Sequence, residues 1–340
     1  MSAASRLFGA GIGGTELSRF EREIFEEHPP CAVILFHRNI GTADQLQRLA
    51  SEVRRLAGSP WLCVDQEGGP VDRFRDLLGP SISLRAAAGG GSARRAGELA
   101  GEVCARFGIA VDLAPVVDRA VPGAAAEVLG ERVAGEDPET VAAAAADFLE
   151  GLHSRGVGGC LKHFPGLGRA SLDTHFALPV LAEDAGEAAR DLHPFARTME
   201  KAGAVMISHA AGEDGVPASL SRARATDLLR GRLGFAGAAF SDDLEMGALA
   251  AFGGLPERCA EAARAGCDLL FICKEIEGLP ECVRAVEGEV PAERVAEASA
   301  RLDQYADHLA RLARSAVAPK RPLAELIADM RHFAASVAGI

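Results

Sequence analysis

Six consecutive apolar residues, Cys31-Ala32-Val33-Ile34-Leu35-Phe36, are followed by an amphipathic stretch at 43–56. A short apolar run rich in β-branched residues predicts a buried strand, and a longer amphipathic stretch predicts a helix. The same strand-then-helix unit recurs along the chain. Strands are predicted at 6–11, 32–36, 61–65, 109–114, 159–163, 204–208, 238–241 and 269–273. Helices are predicted at 18–27, 43–56, 93–107, 138–154, 185–201, 223–232, 257–265 and 277–287.

Eight strands, each followed by a helix, are what a closed (β/α)8 TIM-type barrel requires. We therefore predict an α/β fold in which residues 1–290 form one barrel domain. An open, doubly wound sheet remains the alternative, because alternation does not reveal strand order. Residues 291–340 are predicted to form extra C-terminal helices, at 293–314 and 323–337, packed on the barrel exterior, with Pro319 and Pro322 between them.

Two local patterns predict where elements begin and end. Asp137 is a good helix N-cap and Pro138 a good first helical residue, ahead of the Ala-rich run 142–146. The Ala/Gly-rich segment 86–91 is predicted to be a loop.

Composition narrows the class of protein. The 340 residues carry a formal net charge of −12 without a Lys/Arg-dense run, so we expect no nucleic-acid partner. No apolar run approaches the roughly 20 residues that span a bilayer, and the N-terminus lacks a secretory signal, so we expect no membrane association and a cytoplasmic location. The eight cysteines contain no C-x-x-C pair and are predicted to be reduced core residues. We expect no cofactor, no metal, and a monomer or weak homodimer.

Polar residues collect at the predicted strand ends. In a barrel, the rim formed by the C-terminal ends of the strands carries the active site. The residues at or just past such an end are Asp65, Asp118, Lys162, His163, His209 and Asp242. This joint placement predicts a polar cleft at that rim.

Two segments could supply proton-transfer and nucleophilic groups. In Asp173-Thr174-His175, the acid can hold one ring nitrogen of the His and leave the other to give or take a proton. In Phe240-Ser241-Asp242-Asp243-Leu244, a carboxylate ends a short apolar run. Such a set suits the cleavage of an acetal. In isolation, the first segment is more typical of a surface turn and the second of a turn or helix cap.

The remaining polar candidates suit contacts to hydroxyl groups. A Lys at a strand end, such as Lys162, needs hydroxyls or carboxylates as partners, and His163 follows it directly. Asp65 could accept two sugar hydroxyls, and Gly68 and Gly69 after it permit close backbone approach. Arg73 follows in the same polar loop, whereas an isolated Arg132 would by default form a surface salt bridge.

The ordered set of motifs resembles glycoside hydrolase family 3, and within it the single-domain bacterial β-N-acetylglucosaminidases of cell-wall recycling. The motifs lie between about residue 5 and residue 290. They are Leu35-Phe36-His37-Arg38-Asn39, Asp65-Gln66-Glu67-Gly68-Gly69, Lys162-His163-Phe164-Pro165-Gly166, Asp173-Thr174-His175, Met206-Ile207-Ser208-His209 and Phe240-Ser241-Asp242-Asp243-Leu244-Glu245-Met246.

The resemblance implies removal of terminal β-linked N-acetylglucosamine from a glycan or muropeptide by a retaining mechanism. Asp242 would be the nucleophile, and His175, oriented by Asp173, the acid and base. Residues matching the family's sugar-binding positions are Asp65, Arg73, Arg132, Lys162 and His163, and His209 would line the same cleft.

The chain departs from the family pattern P-G-H-G-D-T, because Leu167 replaces the His and Arg169 the Asp, and Pro70 stands where Arg is common. Four alternatives remain open beside this interpretation. They are a family-3 β-glycosidase of other sugar specificity, a phosphorylase in which Arg169 aids an anionic acceptor, a catalytically impaired glycan-binding protein, and a metal-dependent hydrolase using His163, His175, His209 and Asp242.

Overall fold

The structure is a computed structural model that describes residues 2–56, 59–121, 129–182, 184–274, 276–316 and 321–339. A ring of parallel strands forms its centre. In chain order the strands are β1 (Phe8–Gly11), β2 (Ala32–Leu35), β3 (Trp61–Val64), β4 (Gln66–Gly68), β5 (Val71–Asp72), β6 (Val111–Asp112), β7 (Gly158–Gly159), β8 (Leu161–Phe164), β9 (Ala204–Ile207), β10 (Ala238–Asp243) and β11 (Leu269–Ile272). The ladder runs β7-β6-β3-β2-β1-β11-β10-β9-β8, and β4 and β5 form a separate antiparallel hairpin.

The ring closes through one strand that is interrupted at Cys160. The two ends of the ladder, β7 and β8, are consecutive in the chain, and they pair with β6 and β9 respectively. Across the interruption, the Cys160 N–H donates to the Ala114 carbonyl at 3.0 Å, and the Val117 N–H donates to the Lys162 carbonyl at 2.8 Å. The predicted TIM-type barrel is therefore confirmed, and the open-sheet alternative is wrong.

Helices surround this ring. They are α1 (Arg19–Glu27), α2 (Ala43–Arg55), α3 (Arg75–Leu78), α4 (Leu84–Gly89), α5 (Ala93–Arg106), α6 (Pro138–Ser154), α7 (Ala185–Ala202), α8 (Leu255–Ala265), α9 (Leu279–Glu289), α10 (Ala292–Ser315) and α11 (Leu323–Ala338). All of them except α3 and α4 lie close to the predicted places. Ala223–Arg232 is wound as a π-helix. As predicted, Asp137 caps α6 by accepting the Thr140 N–H, with Pro138 as the first helical residue. None of the helices described combines the length and apolar character needed to cross a membrane.

The prediction of a loop at 86–91 was wrong. The first part of that segment lies in α4, which begins two residues earlier at Leu84. The Ser83 hydroxyl accepts the Ala86 N–H and so caps the helix. Three alanines then favour continuation of the helix. A helix of only six residues is too short to show the apolar periodicity on which the prediction relied.

Strand residues alternate between the barrel interior and the surrounding helices. In β2, Ala32 and Ile34 belong to the interior cluster, whereas Val33 and Leu35 pack with the helices. The interior cluster also contains Cys63, Val111, Leu113, Cys160, Ala204, Met206, Ala238, Phe240, Leu269, Phe271 and Cys273. All eight cysteines are free thiols, in agreement with the prediction.

Helix α10 covers the end of the barrel at which the strands begin. Its Tyr305 ring is edge-on to Trp61 at 5.4 Å and to Phe240 at 5.6 Å between ring centroids. The Tyr305 hydroxyl donates to the Gly159 carbonyl at 3.0 Å. This helix therefore inserts an aromatic side chain into the barrel interior rather than only lying on the exterior, and the opposite end of the barrel remains for the site.

We expect Tyr305→Ala to lower the free energy of unfolding by about 3–5 kcal/mol, because it opens a cavity at the base of the barrel. Chemical denaturation would measure this loss. Tyr305→Phe is the matched control, since it keeps the ring and removes only the hydrogen bond to Gly159, at a cost of about 1 kcal/mol. Equal losses in the two variants would show that ring packing is not what fixes α10.

Candidate active site

A cavity of about 350 Å³ opens at the end of the barrel where the strands finish. Its apolar floor is the top layer of the barrel interior, formed by Ile34, Leu113, Met206 and Phe271. The predicted site residues on its walls are Asp65, Arg73, Arg132, Lys162, His163, Asp173, His175 and Asp242. This volume lies within the range of about 300–1,000 Å³ typical of small-molecule pockets.

A buried lysine organises one wall of the cavity. Lys162, in β8, has a side chain only 3% exposed, and its Nζ lies 2.7 Å from Asp65 Oδ1 and 2.5 Å from Glu67 Oε1. Asp65 also accepts a hydrogen bond from Arg73 Nη2 at 3.2 Å. A buried ammonium is tolerated only with such partners, because removing its charge from water costs several kcal/mol.

The same carboxylates connect the lysine to an arginine and a histidine. Glu67 accepts two hydrogen bonds from Arg132, at 2.8 and 2.9 Å. Arg132 Nη2 lies 3.3 Å from His163 Nε2, and His163 Nδ1 lies 2.7 Å from Asp118 Oδ2. Since the arginine can only donate, His163 accepts through Nε2 and donates through Nδ1.

The charges of this wall persist at neutral pH. Burial alone would raise the pKa of Asp65, but the positive charges of Lys162 and Arg73 hold it below its ordinary value. Burial likewise opposes ionisation of Glu67, but Lys162 and Arg132 lower its pKa to about 2. The pKa of Lys162 is raised despite burial, because two carboxylates face it. The wall therefore presents fixed donors and acceptors to a ligand.

The predicted dyad lies in a turn that also lines the cavity. Asp173 Oδ1 accepts the backbone N–H of His175 at 2.9 Å and lies 2.7 Å from His175 Nδ1. These hydrogen bonds lower the pKa of Asp173 despite partial burial, so the carboxylate stays ionised. The His175 side chain is 64% exposed. With Nδ1 held by Asp173, its Nε2 is the atom available to a substrate.

Both acids at the end of β10 line the cavity. Strand alternation therefore did not separate Asp242 from Asp243, because the register of β10 shifts between Phe240 and Asp243. Each acid accepts one backbone N–H: Asp242 Oδ1 accepts that of Asp243 at 2.8 Å, and Asp243 Oδ1 accepts that of Glu245 at 3.1 Å. Burial, followed by the charge of Glu245, raises the pKa of Asp243 to about 7.

His209 does not line the cavity as predicted but lies behind its wall. It is fully buried, with Nδ1 2.7 Å from Ser219 Oγ and Nε2 2.8 Å from the carbonyl oxygen of Asp243. Burial lowers its pKa, which favours a neutral ring that donates to this carbonyl. His209 is therefore placed to hold the backbone beside the two acids rather than to touch a ligand.

Sequence reasoning assigned no role to two carboxylates of the site. Glu67 follows Asp65 by two positions, a spacing that can place both carboxylates on one side of an extended segment. Asp118 was noted only as a strand-end residue, yet it accepts the backbone N–H of Leu167 at 2.6 Å in addition to its bonds with His163. Their partners are far away in sequence, so the chain alone did not reveal them.

The departures from the family pattern have defined surroundings. Leu167 is buried in an apolar cluster with Val116 and Leu181 and also borders the cavity. Arg169 donates to Asp191 Oδ2 and to the Ala182 carbonyl, each at 2.7 Å. Pro70 is exposed at the turn between β4 and β5. These residues change the surroundings of the site, whereas the dyad and Asp242 still line the cavity.

The described residues offer no ligand set for the metal-dependent alternative. Across the described ranges, no three His, Cys, Asp or Glu side chains are grouped so that they could hold a metal ion. His163 and His175 are each engaged by a carboxylate through Nδ1, and His209 lies behind the wall.

We expect Lys162→Met to lower the free energy of unfolding by about 3–5 kcal/mol at pH 7, because it leaves two buried carboxylates without their shared cation. The pKa values of Asp65 and Glu67 lie below their ordinary values of 3.8 and 4.5 in the folded protein. Their stabilising contribution is therefore present above those ordinary values and is lost as the pH falls toward the lower folded values. Denaturation at pH 7 and pH 3 should show a smaller difference between variant and wild type at pH 3. An unchanged difference would contradict the ion cluster.

Comparisons with known proteins agree with this architecture. Residues 11–305 match the family described as "Glycosyl hydrolase family 3 N terminal domain". The β-hexosaminidase of Stenotrophomonas maltophilia (strain K279a) is 38% identical over 298 residues, which cover 82% of this chain and 86% of that protein.

Two solved structures have the same fold over most of this chain. The family 3 β-N-acetylglucosaminidase from Paenibacillus sp. str. FPU-7 superposes with a TM-score of 0.87 at 28% identity, covering 96% of this chain and 67% of that chain. NagZ from Neisseria gonorrhoeae, in complex with N-trifluoroacetyl-D-glucosamine, has a TM-score of 0.74 at 28% identity and covers 90% of this chain and 97% of that chain. This protein therefore belongs to glycosyl hydrolase family 3.

Proposed function

We propose that this protein is a β-N-acetylglucosaminidase that removes terminal β-linked N-acetylglucosamine with retention of configuration. One observation carries the proposal: the His175–Asp173 dyad and Asp242 line the same cavity. The wall formed by Asp65, Lys162 and Arg132 supplies the charged hydrogen-bonding groups that a sugar needs. The similar β-hexosaminidase and the aminosugar complex of NagZ support the choice of sugar.

In the proposed first step, an Asp242 carboxylate oxygen attacks the anomeric carbon while the bond to the leaving oxygen breaks. His175 Nε2 gives its proton to that oxygen, and a glycosyl-enzyme results. In the second step, a water molecule attacks the same carbon and the bond to Asp242 breaks. His175 then takes a proton from the water and is ready for another cycle.

The assignment of the nucleophile to Asp242 follows from the surroundings of the two neighbouring acids. Asp243 has a pKa of about 7, because it is buried and faces Glu245. Part of its population is therefore protonated at neutral pH. A nucleophile in this mechanism must be an ionised carboxylate. Asp243 is therefore the poorer candidate.

The binding wall and the acid/base serve different parts of the substrate, the terminal sugar and the leaving group. Asp65 is an ionised acceptor for hydroxyls, and Arg73, Lys162 and Arg132 are donors whose positions are fixed by carboxylates. Such a wall binds the terminal sugar in one orientation. The leaving group then lies toward His175, which is exposed and can accept aglycones of different shape.

The position of Arg169 weakens the phosphorylase alternative. The residue considered for an anionic acceptor, Arg169, donates to Asp191 and to a backbone carbonyl and borders a different depression from the catalytic cavity. Hydrolysis is therefore preferred to phosphorolysis as the proposed reaction. Activity assays distinguish the proposed enzyme from a glycosidase of other sugar specificity and from an impaired binding protein.

We further propose that the physiological substrate is a glycan or muropeptide ending in N-acetylglucosamine, handled in the cytoplasm by a monomer or weak homodimer. Eight free thiols are consistent with a reducing compartment.

Assays with purified protein test the activity. We expect hydrolysis of an aryl β-N-acetylglucosaminide and much slower hydrolysis of the β-glucoside and β-xyloside, with the free sugar as product whether or not phosphate is present. Formation of a sugar 1-phosphate would identify a phosphorylase. Sugar binding without turnover would identify an impaired member, and a faster β-glucoside would overturn the assignment of the sugar.

Two variants separate the proposed roles. We expect His175→Ala to reduce kcat/KM by about 10²–10⁴-fold for substrates with a poor leaving group and far less for activated aryl glycosides, because only the former need a proton. Asp242→Asn should abolish turnover of both substrate classes while sugar binding persists. Equal losses with both substrates in His175→Ala would argue against the acid role. Strong residual activity in Asp242→Asn would move the nucleophile to Asp243.

A further inference from the structure

The loop carrying the dyad is attached through its backbone to the turn that follows β10. We call residues 165–182 the dyad loop. The Gly247 N–H donates to the His175 carbonyl at 3.2 Å, and the Ala248 N–H donates to the Thr174 carbonyl at 3.1 Å. These donors begin the short turn Gly247–Leu249, four positions after the end of β10. Two backbone hydrogen bonds thus attach the turn that carries the acid/base residue to the segment that follows the strand of Asp242.

This attachment requires a residue without a side chain at position 247. A Cβ atom built on Gly247 would lie 2.7 Å from the His175 carbonyl oxygen and 3.1 Å from that of Phe176. The first distance is shorter than non-bonded carbon and oxygen atoms tolerate. Gly247 is not among the glycines with positive φ. Its backbone conformation is therefore open to other residues, and the requirement for glycine arises from the closeness of the dyad loop.

The remaining contacts of the dyad loop do not fix His175 by themselves. Its side chain is 64% exposed, so packing contributes little to its position. Thr174 between the two dyad residues is 3% exposed, which places the backbone of this turn against the body of the protein. Arg169 and Leu167 hold the beginning of the loop, at Asp191 and in the apolar cluster. Among the described residues outside the loop, Gly247 and Ala248 donate backbone hydrogen bonds to the carbonyls of His175 and Thr174, and they follow shortly after the strand that carries Asp242.

We propose that Gly247 is a positioning residue of the catalytic site, because its missing side chain lets the dyad loop dock and set His175 relative to Asp242. This inference rests on the proposed glycosidase function. Gly247 itself touches no reacting atom. It acts through the backbone of His175, and the step it serves is proton transfer to the leaving oxygen and from the attacking water.

The consequence of a side chain at position 247 is specific. The added methyl group forces the dyad loop away from the turn, whereas Asp242, Lys162 and Asp65 keep their places in or beside the barrel strands. Misplacement by about 1 Å can cost about 10²-fold in rate when a group must meet a reacting atom. The loss should therefore fall on reactions that need the proton of His175 and spare those that do not.

The test compares Gly247→Ala with wild type on two β-N-acetylglucosaminides, one with an alkyl or sugar leaving group and one with a dinitrophenyl leaving group. We expect kcat/KM to fall by about 10–10²-fold for the first and to change little for the second. In the His175→Ala background the same substitution should add no further loss. Gly288→Ala is the control, because Gly288 lies exposed in α9 with open space around it, and should match wild type.

A readout independent of turnover is amide hydrogen exchange. In the wild-type protein the Gly247 and Ala248 amides should be protected, and in Gly247→Ala the exchange of residues 170–178 and of the Ala248 amide should be faster while thermal unfolding stays close to wild type. Unprotected wild-type amides at 247 and 248 would overturn the inference even if the variant did not fold. So would equal losses on both substrates, wild-type activity of Gly247→Ala, or an added loss in the double variant. A wild-type protein that hydrolyses no glycoside would instead overturn the proposed function, and the exchange measurement would still decide whether the loop docks at Gly247.

Discussion

The buried ammonium group of Lys162 is the constraint on which the catalytic face of this barrel depends. It lies between the carboxylates of Asp65 and Glu67, almost without contact with water. Because a buried charge without partners is strongly unfavourable, the ends of β8 and β3 must be brought together wherever the protein is folded. Glu67 then fixes Arg132, and Arg132 fixes one nitrogen of His163. A wall of fixed donors and acceptors therefore arises from the requirement to satisfy one cation.

The binding wall and the acid/base dyad are built in different ways. The wall around Lys162 consists of buried side chains on strand ends, held by ion pairs in which the shifted pKa values of Asp65, Glu67 and Lys162 keep these three groups charged at neutral pH. The acid/base dyad lies on a loop, and His175 is held by Asp173 and by backbone contacts rather than by packing. A rigid wall suits recognition of one sugar in one orientation. A more exposed proton donor suits a site that must admit a leaving group and then a water molecule.

The departures from the family motif concern the support of the dyad loop rather than its chemistry. Leu167 replaces a polar residue with an apolar one that packs in a buried cluster, and Arg169 replaces an acid with a cation that pairs with Asp191. Both changes keep the beginning of the loop attached to the barrel through different interactions. The Asp173–His175 hydrogen bond and the presence of Asp242 at the cavity are compatible with this altered support.

The sequence by itself determined the local elements and the chemistry available at the rim. Strand and helix positions followed from apolar periodicity, and Asp137 and Pro138 predicted the start of α6, because these signals are local. The short helix α4 and the register shift in β10 were missed, since neither produces a period long enough to recognise. Only the tertiary structure decided which partners meet. Lys162 contacts Asp65 across 97 positions of chain, and His209 turned out to hold the Asp243 carbonyl from behind the wall. Such contacts depend on how the closed ring aligns its strand ends, which is a property of the whole barrel and of no single segment.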